Sequence, residues 1–377
     1  MPDLTSALYL GMRHPNTSLR PWREITTGMP AALRSPPIMQ SVANAIAELQ
    51  GCEHAVLLPS TLHLFFDLFE MFRRERARVY LDAGAYPIAR WGAERAAARG
   101  LALHVFPHYA PDVVRHMIER HATDGRRPVI LADGFCPDCG RTVPLAELIR
   151  CVRARNGYVV LDDTQALGIW GCLPDMQNPY GTGGGGSLRR HDIRSPAVIL
   201  GSSLAKGFGA PVAALSGNAR VVHRFITQSA TRVHASPPSN AALHAAEHAL
   251  SINEVSGDAL RRHLAHLVQR FRRRMREAGL QGTPSLFPVQ PVMLNPGSDP
   301  VRLHHGLCAA GVRGVLLRQR GKAGPRLVFI FNAEHTFEDV DAAASAIITA
   351  VDRQLAAARY GIRYNDAQRE SAVTQKH

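Results

Sequence analysis

Lysine is scarce in this sequence: three of the 44 basic residues are lysine (Lys206, Lys322 and Lys376), and the other 41 are arginine. With 31 acidic residues, the formal net charge is +13. The arginines are spread over the whole chain, and no nucleic-acid motif with interleaved aromatic residues accompanies them. We therefore interpret the charge as a bias towards arginine and predict no nucleic-acid partner, although a basic surface also suits an acidic partner protein.

The sequence also lacks any apolar run near the roughly 20 residues that span a bilayer. Its first residues contain no signal-peptide hydrophobic segment, and its six cysteines are scattered without a secretory context. Cys136 and Cys139 have the spacing of half a zinc site or of a redox pair, but a second pair at a suitable spacing is missing. We therefore expect a cytoplasmic protein with no membrane partner and no metal site.

Apolar residues make up 46% of the chain, which is enough to bury a large core. Short apolar runs alternate with segments of helical periodicity, which predicts an α/β fold with a mostly parallel sheet covered by helices on both faces. The predicted strands are 79–82, 103–106, 129–132, 158–162, 197–202 and 212–216. The helical segments between them include 87–99, 111–121 and 145–155.

Two long helices, 240–252 and 258–278, are predicted to lead away from this sheet to a smaller α+β unit. That unit has predicted strands at 288–294, 312–317 and 327–331 and helices at 300–310 and 336–359. The predicted domains are an N-terminal segment (1–50), a large α/β domain (51–250), a small C-terminal α+β domain (251–359) and a loose tail (360–377).

Because surface basic positions in this chain are almost always arginine, Lys206 stands out. It lies in a Gly/Ser-rich loop directly after an apolar strand. A partly buried lysine there can form a Schiff base, since burial lowers its pKa. The alternative is an ordinary lysine of a surface loop.

Asp162 ends a predicted buried strand, and Gln165 follows three residues later. An aspartate in this position can pair with a protonated pyridine nitrogen, and Gln165 could then hydrogen-bond an oxygen of the same ring. A helix-capping aspartate with an exposed glutamine is the alternative. The combination of Asp162, Gln165 and, about 40 residues later, Ser203 and Lys206 is much more specific than either motif alone.

With these motifs, the sequence resembles the α-oxoamine synthases, which are fold-type I enzymes dependent on pyridoxal 5′-phosphate (PLP) within aminotransferase class I/II. The resemblance runs from about residue 40 to about residue 350 and rests on six segments in the family's order. The family has Asp-Gly-Val-Phe-Ser-Met-Asp-Gly where this chain has DGFCPDCG. The segments are GCEHAVLLPSTLHL (51–64), DGFCPDCGRTVPL (133–145), LDDTQALGIWG (161–171), YGTGGGGSLRRH (180–191), GSSLAKGFG (201–209) and RLVFIFNAEHTFEDVD (326–341).

The resemblance implies a large PLP-binding domain, a small C-terminal domain and a homodimer with shared active sites. It assigns Lys206 to the Schiff-base lysine and Asp162 to the partner of the pyridine nitrogen. The remaining implied PLP contacts are Ser203, the phosphate loop Ser60, Thr61 and Leu62, and His234, which falls near a residue that reaches the neighbouring subunit's phosphate.

Several positions depart from the family's pattern, among them Pro137, where the family has serine. The ring-stacking histidine falls on Tyr86, and the histidine after the aspartate falls on Gln165, as in the cysteine desulfurase branch of this fold. The arginine that grips the α-carboxylate of the amino acid falls on Val328. Valine cannot replace an arginine that binds a carboxylate with two hydrogen bonds. The pattern therefore keeps the cofactor-binding positions but lacks this carboxylate-binding one.

This departure leaves three interpretations. Arg318, Arg320 or Arg326 takes over the carboxylate, or the amino substrate has no free carboxylate, or the protein binds PLP and does little else. The expected function is a PLP-dependent transferase that condenses an amino substrate with an acyl thioester, from acyl-CoA or an acyl carrier protein. The alternatives are an aminotransferase acting on an amine or a carrier-tethered substrate, and a non-catalytic basic binding protein.

Overall fold

The computed structural model describes residues 2–294, 298–318 and 324–374, with the side chains of 357–374 left out. The chain divides into two compact units, Leu8–Arg262 and Met1–Ala7 with His263–His377. Among the described residues, no helix combines the length and the apolar character needed to cross a membrane.

The larger unit is built on a seven-stranded sheet flanked by helices. The strands of this sheet are β1 (His54–Leu58), β2 (Arg78–Asp82), β3 (Ala102–Phe106), β4 (Pro128–Asp133), β7 (Tyr158–Asp162), β8 (Val198–Ser203) and β9 (Ala213–Gly217). Strands β5 (Phe135–Cys136) and β6 (Arg141–Thr142) form a separate hairpin. Its helices are α1 (Pro37–Gln50), α2 (Thr61–Arg74), α3 (Pro87–Ala98), α4 (Pro111–Arg120), α5 (Leu145–Arg153), α6 (Ser187–Arg190), α7 (Ala219–Gln228), α8 (Ala230–His234) and the first part of α9 (Asn240–Glu277), whose residues from His263 onward belong to the smaller unit.

The strand order in the sheet is β1-β9-β8-β7-β4-β2-β3. The neighbours from β8 to β3 are parallel, and β9 is antiparallel to both β8 and β1. Every residue of β4, β7 and β9 is buried, as expected for strands covered on both faces. The predicted α/β class is therefore confirmed. The periodicity missed β1 and the short hairpin of β5 and β6.

Helix α9 is continuous, although a break near residue 257 was expected from the pattern. The Arg261 side chain is 1% exposed, and it donates to the Gly168 carbonyl at 3.0 Å and to Asn253 Oδ1 at 2.8 Å. A Cβ atom on Gly257 would lie 2.5 Å from Asn253 Oδ1. The glycine therefore makes room for this buried network, and the network holds the helix together where its sequence is weakest.

The smaller unit contains a four-stranded antiparallel sheet with the order β10-β11-β13-β12. Its elements are β10 (Gln281–Gly282), β11 (Val289–Met293), α10 (Pro300–Ala309), β12 (Val315–Arg318), β13 (Pro325–Ile330) and α11 (Phe337–Thr374). The predicted strands and helices are present. Helix α11 runs to Thr374, beyond residue 359 at which the predicted helix ends. No proline interrupts this stretch.

Candidate active site

The chemically important side chains of the larger unit gather at one edge of its sheet. Because β2, β4, β7 and β8 are parallel, their carboxyl ends lie at the same edge, where open α/β sheets place their ligands. Asp133 of β4 is in register with Asp162 of β7, and Asp162 is in register with Gly201 of β8. Strand β8 ends at Ser203, and the loop that follows it carries Lys206.

Asp162 and Lys206 form the electrostatic centre of this edge. Burial lowers the pKa of the Lys206 amine, while attraction to Asp162 and then to Asp133 opposes that shift. Burial raises the pKa of the Asp162 carboxyl, and hydrogen bonds from Thr164 together with the charge of Lys206 oppose that shift. Each of the two groups thus opposes the pKa shift that burial imposes on the other.

The second aspartate of the Asp162–Asp163 pair does different work. Asp163 is fully buried and accepts a hydrogen bond from the Ser187 backbone N–H at 3.1 Å, and another from the Ser187 hydroxyl. Burial raises the pKa of its carboxyl to about 7. Asp163 therefore holds the start of α6, and Asp162 is the aspartate that interacts with Lys206.

Tyr86 borders Lys206 on the open side of the site. The Lys206 Nζ atom lies 5.5 Å from the centroid of the Tyr86 ring, and Tyr86 is 46% exposed. The backbone N–H of Tyr86 donates to Asp133 Oδ1 at 2.9 Å, which fixes the start of α3 against the end of β4. An exposed aromatic ring held beside a lysine is suited to cover a flat ligand.

Gln165 has a partner that the sequence did not indicate. The Tyr9 hydroxyl donates to Gln165 Oε1 at 2.6 Å, and Tyr9 is 1% exposed. Burial, and secondarily the neighbouring Tyr86, raises the pKa of Tyr9, so its hydroxyl stays protonated and donates. The amide nitrogen of Gln165 is then directed away from Tyr9.

Thr164 links the two loops of the site. Its backbone N–H donates to Asp162 Oδ1 at 3.1 Å, and its hydroxyl oxygen accepts from the Ser203 backbone N–H at 3.0 Å. Ser203 in turn accepts from the Ala205 N–H at 3.3 Å through its own hydroxyl oxygen. The sequence marked Asp162 and Ser203 as candidates, but not the residue that joins them.

The predicted phosphate loop forms the N-terminus of α2. Ser60 caps this helix: its hydroxyl contacts His63 Nδ1 at 2.8 Å and accepts weakly from the His63 backbone N–H at 3.5 Å. Thr61 and Leu62 are the first helical residues, and Leu62 is exposed. Backbone N–H groups in a first helical turn have no partner within the helix, so this end suits an anion.

His234 is not brought to the other candidates by the described contacts. It ends the short helix α8 and is exposed. In the smaller unit, Val328 is fully buried in β13 between Pro291 and Val315, while Arg326 is buried and Arg318 exposed. Arg320 lies outside the described residues.

Comparison with known proteins gives a consistent picture. No family model matches the chain. The 8-amino-7-oxononanoate synthase of Burkholderia thailandensis is 28% identical over 254 residues, which is 66% of this chain and 61% of that protein. The enzyme of that name from Alkalilimnicola ehrlichii is 26% identical over 316 residues, 82% of this chain and 76% of its own. The chain is similar to the α-oxoamine synthases.

Solved structures confirm the fold. The Sphingomonas wittichii serine palmitoyltransferase superposes with a TM-score of 0.80 at 18% identity, covering 93% of this chain and 87% of that one. A second neighbour, described as SPT with PLP, gives 0.79 at 15% identity with the same coverage. The predicted resemblance and the fold-type I architecture are therefore confirmed.

Proposed function

We propose that this protein is a PLP-dependent transferase with its cofactor site at Lys206. The donor set fits the cofactor group by group: an amine for the aldehyde, the Asp162 carboxyl for the pyridine nitrogen, Tyr86 for a ring face and the N-terminus of α2 for the phosphate. The observation that carries the proposal is geometric: the buried Asp162 ends β7 in register with Gly201 of the parallel β8, Lys206 follows the end of β8, and the exposed ring of Tyr86 lies 5.5 Å from Lys206 Nζ.

Each side chain then has a defined task. When bound, PLP supplies an electron sink for the charge that develops at the substrate Cα. Asp162 keeps a proton on the ring nitrogen, because a buried carboxylate strongly favours a positive partner. Lys206 Nζ, with its pKa lowered by burial, moves the proton at the substrate Cα. Gln165, oriented by Tyr9, donates to the oxygen on the ring.

For the reaction, we propose condensation of an amino substrate with an acyl thioester. An amino acid would lose its carboxyl group as carbon dioxide, and the thioester would release its free thiol. The similarity to 8-amino-7-oxononanoate synthases and a serine palmitoyltransferase supports this reaction class. A basic surface suits acyl-CoA or an acyl carrier protein as acyl donor. The chain would act in the cytoplasm as a homodimer, with His234 directed to the partner subunit's site.

Val328 leaves open whether the amino substrate has a free carboxylate. A buried valine offers no hydrogen bond to a carboxylate. This favours an amine, an amino sugar or a carrier-tethered aminoacyl group, unless Arg318, Arg320 or Arg326 binds the carboxylate instead. The same feature supports the second candidate, an aminotransferase, which needs only the cofactor groups at Asp162 and Lys206.

A substrate panel separates these functions. The protein, loaded with PLP, is incubated with amines and amino acids in the presence and absence of an acyl-CoA, and thiol release and carbon dioxide are measured. Thiol release that depends on the amine is the expected result. A carbonyl product formed without thioester consumption, and in larger amount when a 2-oxo acid is added to accept the amino group, would identify an aminotransferase. Protein that gains no visible absorbance on addition of PLP would contradict the enzyme proposal and leave the non-catalytic basic binding protein.

A conservative change tests the orienting role of Tyr9. Tyr9→Phe keeps the ring and removes one hydrogen bond, so PLP should bind about 3- to 10-fold more weakly, as for a net loss of about 1 kcal/mol. Titration of the apoprotein with PLP, followed by absorbance, gives the dissociation constant. Tyr158→Phe, a tyrosine at the start of β7, is the matched control. Unchanged affinity for PLP in Tyr9→Phe would contradict the proposal that Tyr9 orients Gln165 to bind the cofactor.

A further inference from the structure

Three potential metal ligands meet beside the candidate active site. The side-chain ligand atoms of His108, Cys136 and Cys139 all lie within 4.8 Å of one another, and His108 Nε2 is 3.4 Å from Cys139 Sγ. Cys136 is buried, while the other two are partly exposed. Two thiols and an imidazole are the ligand types that zinc prefers in proteins.

The local fold explains why the two cysteines converge. Strands β5 and β6 form an antiparallel hairpin in which Cys136 pairs with Arg141. The residues between them form a tight turn, closed by a 2.9 Å hydrogen bond from the Gly140 N–H to the Cys136 carbonyl. A Cys-x-x-Cys pair on such a turn can bind one ion with both sulfurs.

His108 is held in the orientation that a metal ligand requires. Its Nδ1 atom is 2.7 Å from Oδ1 of Asp82, which is fully buried, and its ring stacks on Tyr109 at 3.9 Å. Nε2 is thereby directed to Cys139. Gly84 makes this placement possible, because a Cβ atom there would lie 2.2 Å from His108 Nδ1. Metal-binding histidines characteristically donate a hydrogen bond from their second ring nitrogen to a carboxylate in this way.

We propose that His108, Cys136 and Cys139 bind a Zn²⁺ ion through one nitrogen and two sulfurs, leaving a fourth position for water or another ligand. The charges balance: two thiolates neutralise the ion, and Arg141, whose guanidinium carbon lies 5.7 Å from the centroid of the Tyr109 ring, offsets the charge of Asp82. The aligned α-oxoamine synthase pattern has phenylalanine and aspartate where this chain has Cys136 and Cys139, so both ligands depart from that pattern together.

The ion would fix the loop that carries Tyr86. Asp82 accepts from the Gly84 N–H at 2.6 Å as well as contacting His108. Cys136 follows Asp133, which accepts from the Tyr86 N–H, by only three residues. Metal binding therefore stiffens both segments that position Tyr86, which makes the three ligands and Asp82 positioning residues for the active site.

Metal content and cobalt spectroscopy test the site without reference to activity. Protein purified under reducing conditions should hold about one zinc ion per chain. After removal of zinc by a chelator, titration with Co²⁺ should give the thiolate charge-transfer and visible bands of a tetrahedral sulfur site. Reduced protein that binds neither ion, or an isolated Cys136–Cys139 disulfide that forms in place of a metal site, would overturn the proposal.

Variants identify the ligands. Cys139→Ser and Cys136→Ser should lose the thiolate–cobalt bands or weaken them strongly, whereas Cys151→Ser, at a partly buried cysteine outside the cluster, should keep them. Asp82→Asn should keep the sulfur bands but bind the ion about 10- to 100-fold more weakly. Circular dichroism confirms that each variant folds. Identical cobalt spectra in the wild type and both cluster variants would place the metal elsewhere.

Discussion

Replacing Lys206 with alanine is expected to remove the visible absorbance of lysine-bound PLP and to lower turnover by about 10³-fold or more. Alanine has no amine to hold the cofactor covalently or to move the proton at the substrate Cα. Lys206 is partly buried, so we expect that an amine dissolved in the buffer does not readily replace its side chain. Absorbance spectra and initial rates at saturating PLP measure both effects.

Two further variants serve as controls: one tests whether positive charge alone suffices at position 206, and the other tests a different lysine. Lys206→Arg keeps a positive charge beside Asp162 but cannot be deprotonated, so it should be as inactive as the alanine variant. Lys322→Ala changes another of the three lysines and should retain both the band and the activity. A band that survives in Lys206→Ala at full intensity would show that PLP is attached to a different amine. Absence of the band in the wild type would instead contradict cofactor binding itself.

The placement of Asp162 and Lys206 at one edge of the sheet could be predicted, because each lies at or just after the end of a strand with a clear apolar pattern. In a parallel sheet the carboxyl ends of neighbouring strands meet, so β7 and β8 bring together residues 44 positions apart without any knowledge of side-chain contacts. The scarcity of lysine also indicated this position, because Lys206 is a lysine in a chain whose basic residues are almost all arginine. The fold class followed from the same strand pattern.

The contacts that orient these groups could not be predicted. Tyr9 and Gln165 are 156 residues apart, and no periodicity connects them. His108 lies 31 residues before Cys139 in a different loop, so the ligand spacing of the cysteine pair gave no sign of a third ligand. The continuity of α9 through Gly257 depends on the buried side chain of Arg261, and local propensity contains no information about that burial.

Asp162→Asn is expected to lower turnover by about 10²- to 10³-fold while leaving the cofactor bound. Asparagine is nearly the same size as aspartate but has no negative charge, so it cannot keep a proton on the ring nitrogen, and the ring becomes a poorer electron sink. Thr164 can still donate its N–H to the remaining side-chain oxygen, so the turn after β7 should persist. The turnover number at saturating PLP, measured beside the PLP dissociation constant, distinguishes lost chemistry from lost binding.

The adjacent aspartate is the matched control for that result. Asp163→Asn changes a carboxyl that holds Ser187 rather than one that faces Lys206. It should therefore lower the thermal stability, because the buried Ser187 donors lose a strong acceptor, at a cost of about 1–3 kcal/mol, while turnover per folded molecule stays near that of the wild type. If Asp162→Asn retained more than a tenth of the wild-type turnover, the partner of the ring nitrogen would have to be sought at Asp133, the other carboxylate that attracts Lys206. A loss of turnover in Asp163→Asn equal to that in Asp162→Asn would mean that both variants act by disturbing the fold around β7, and the chemical assignment of Asp162 would fail.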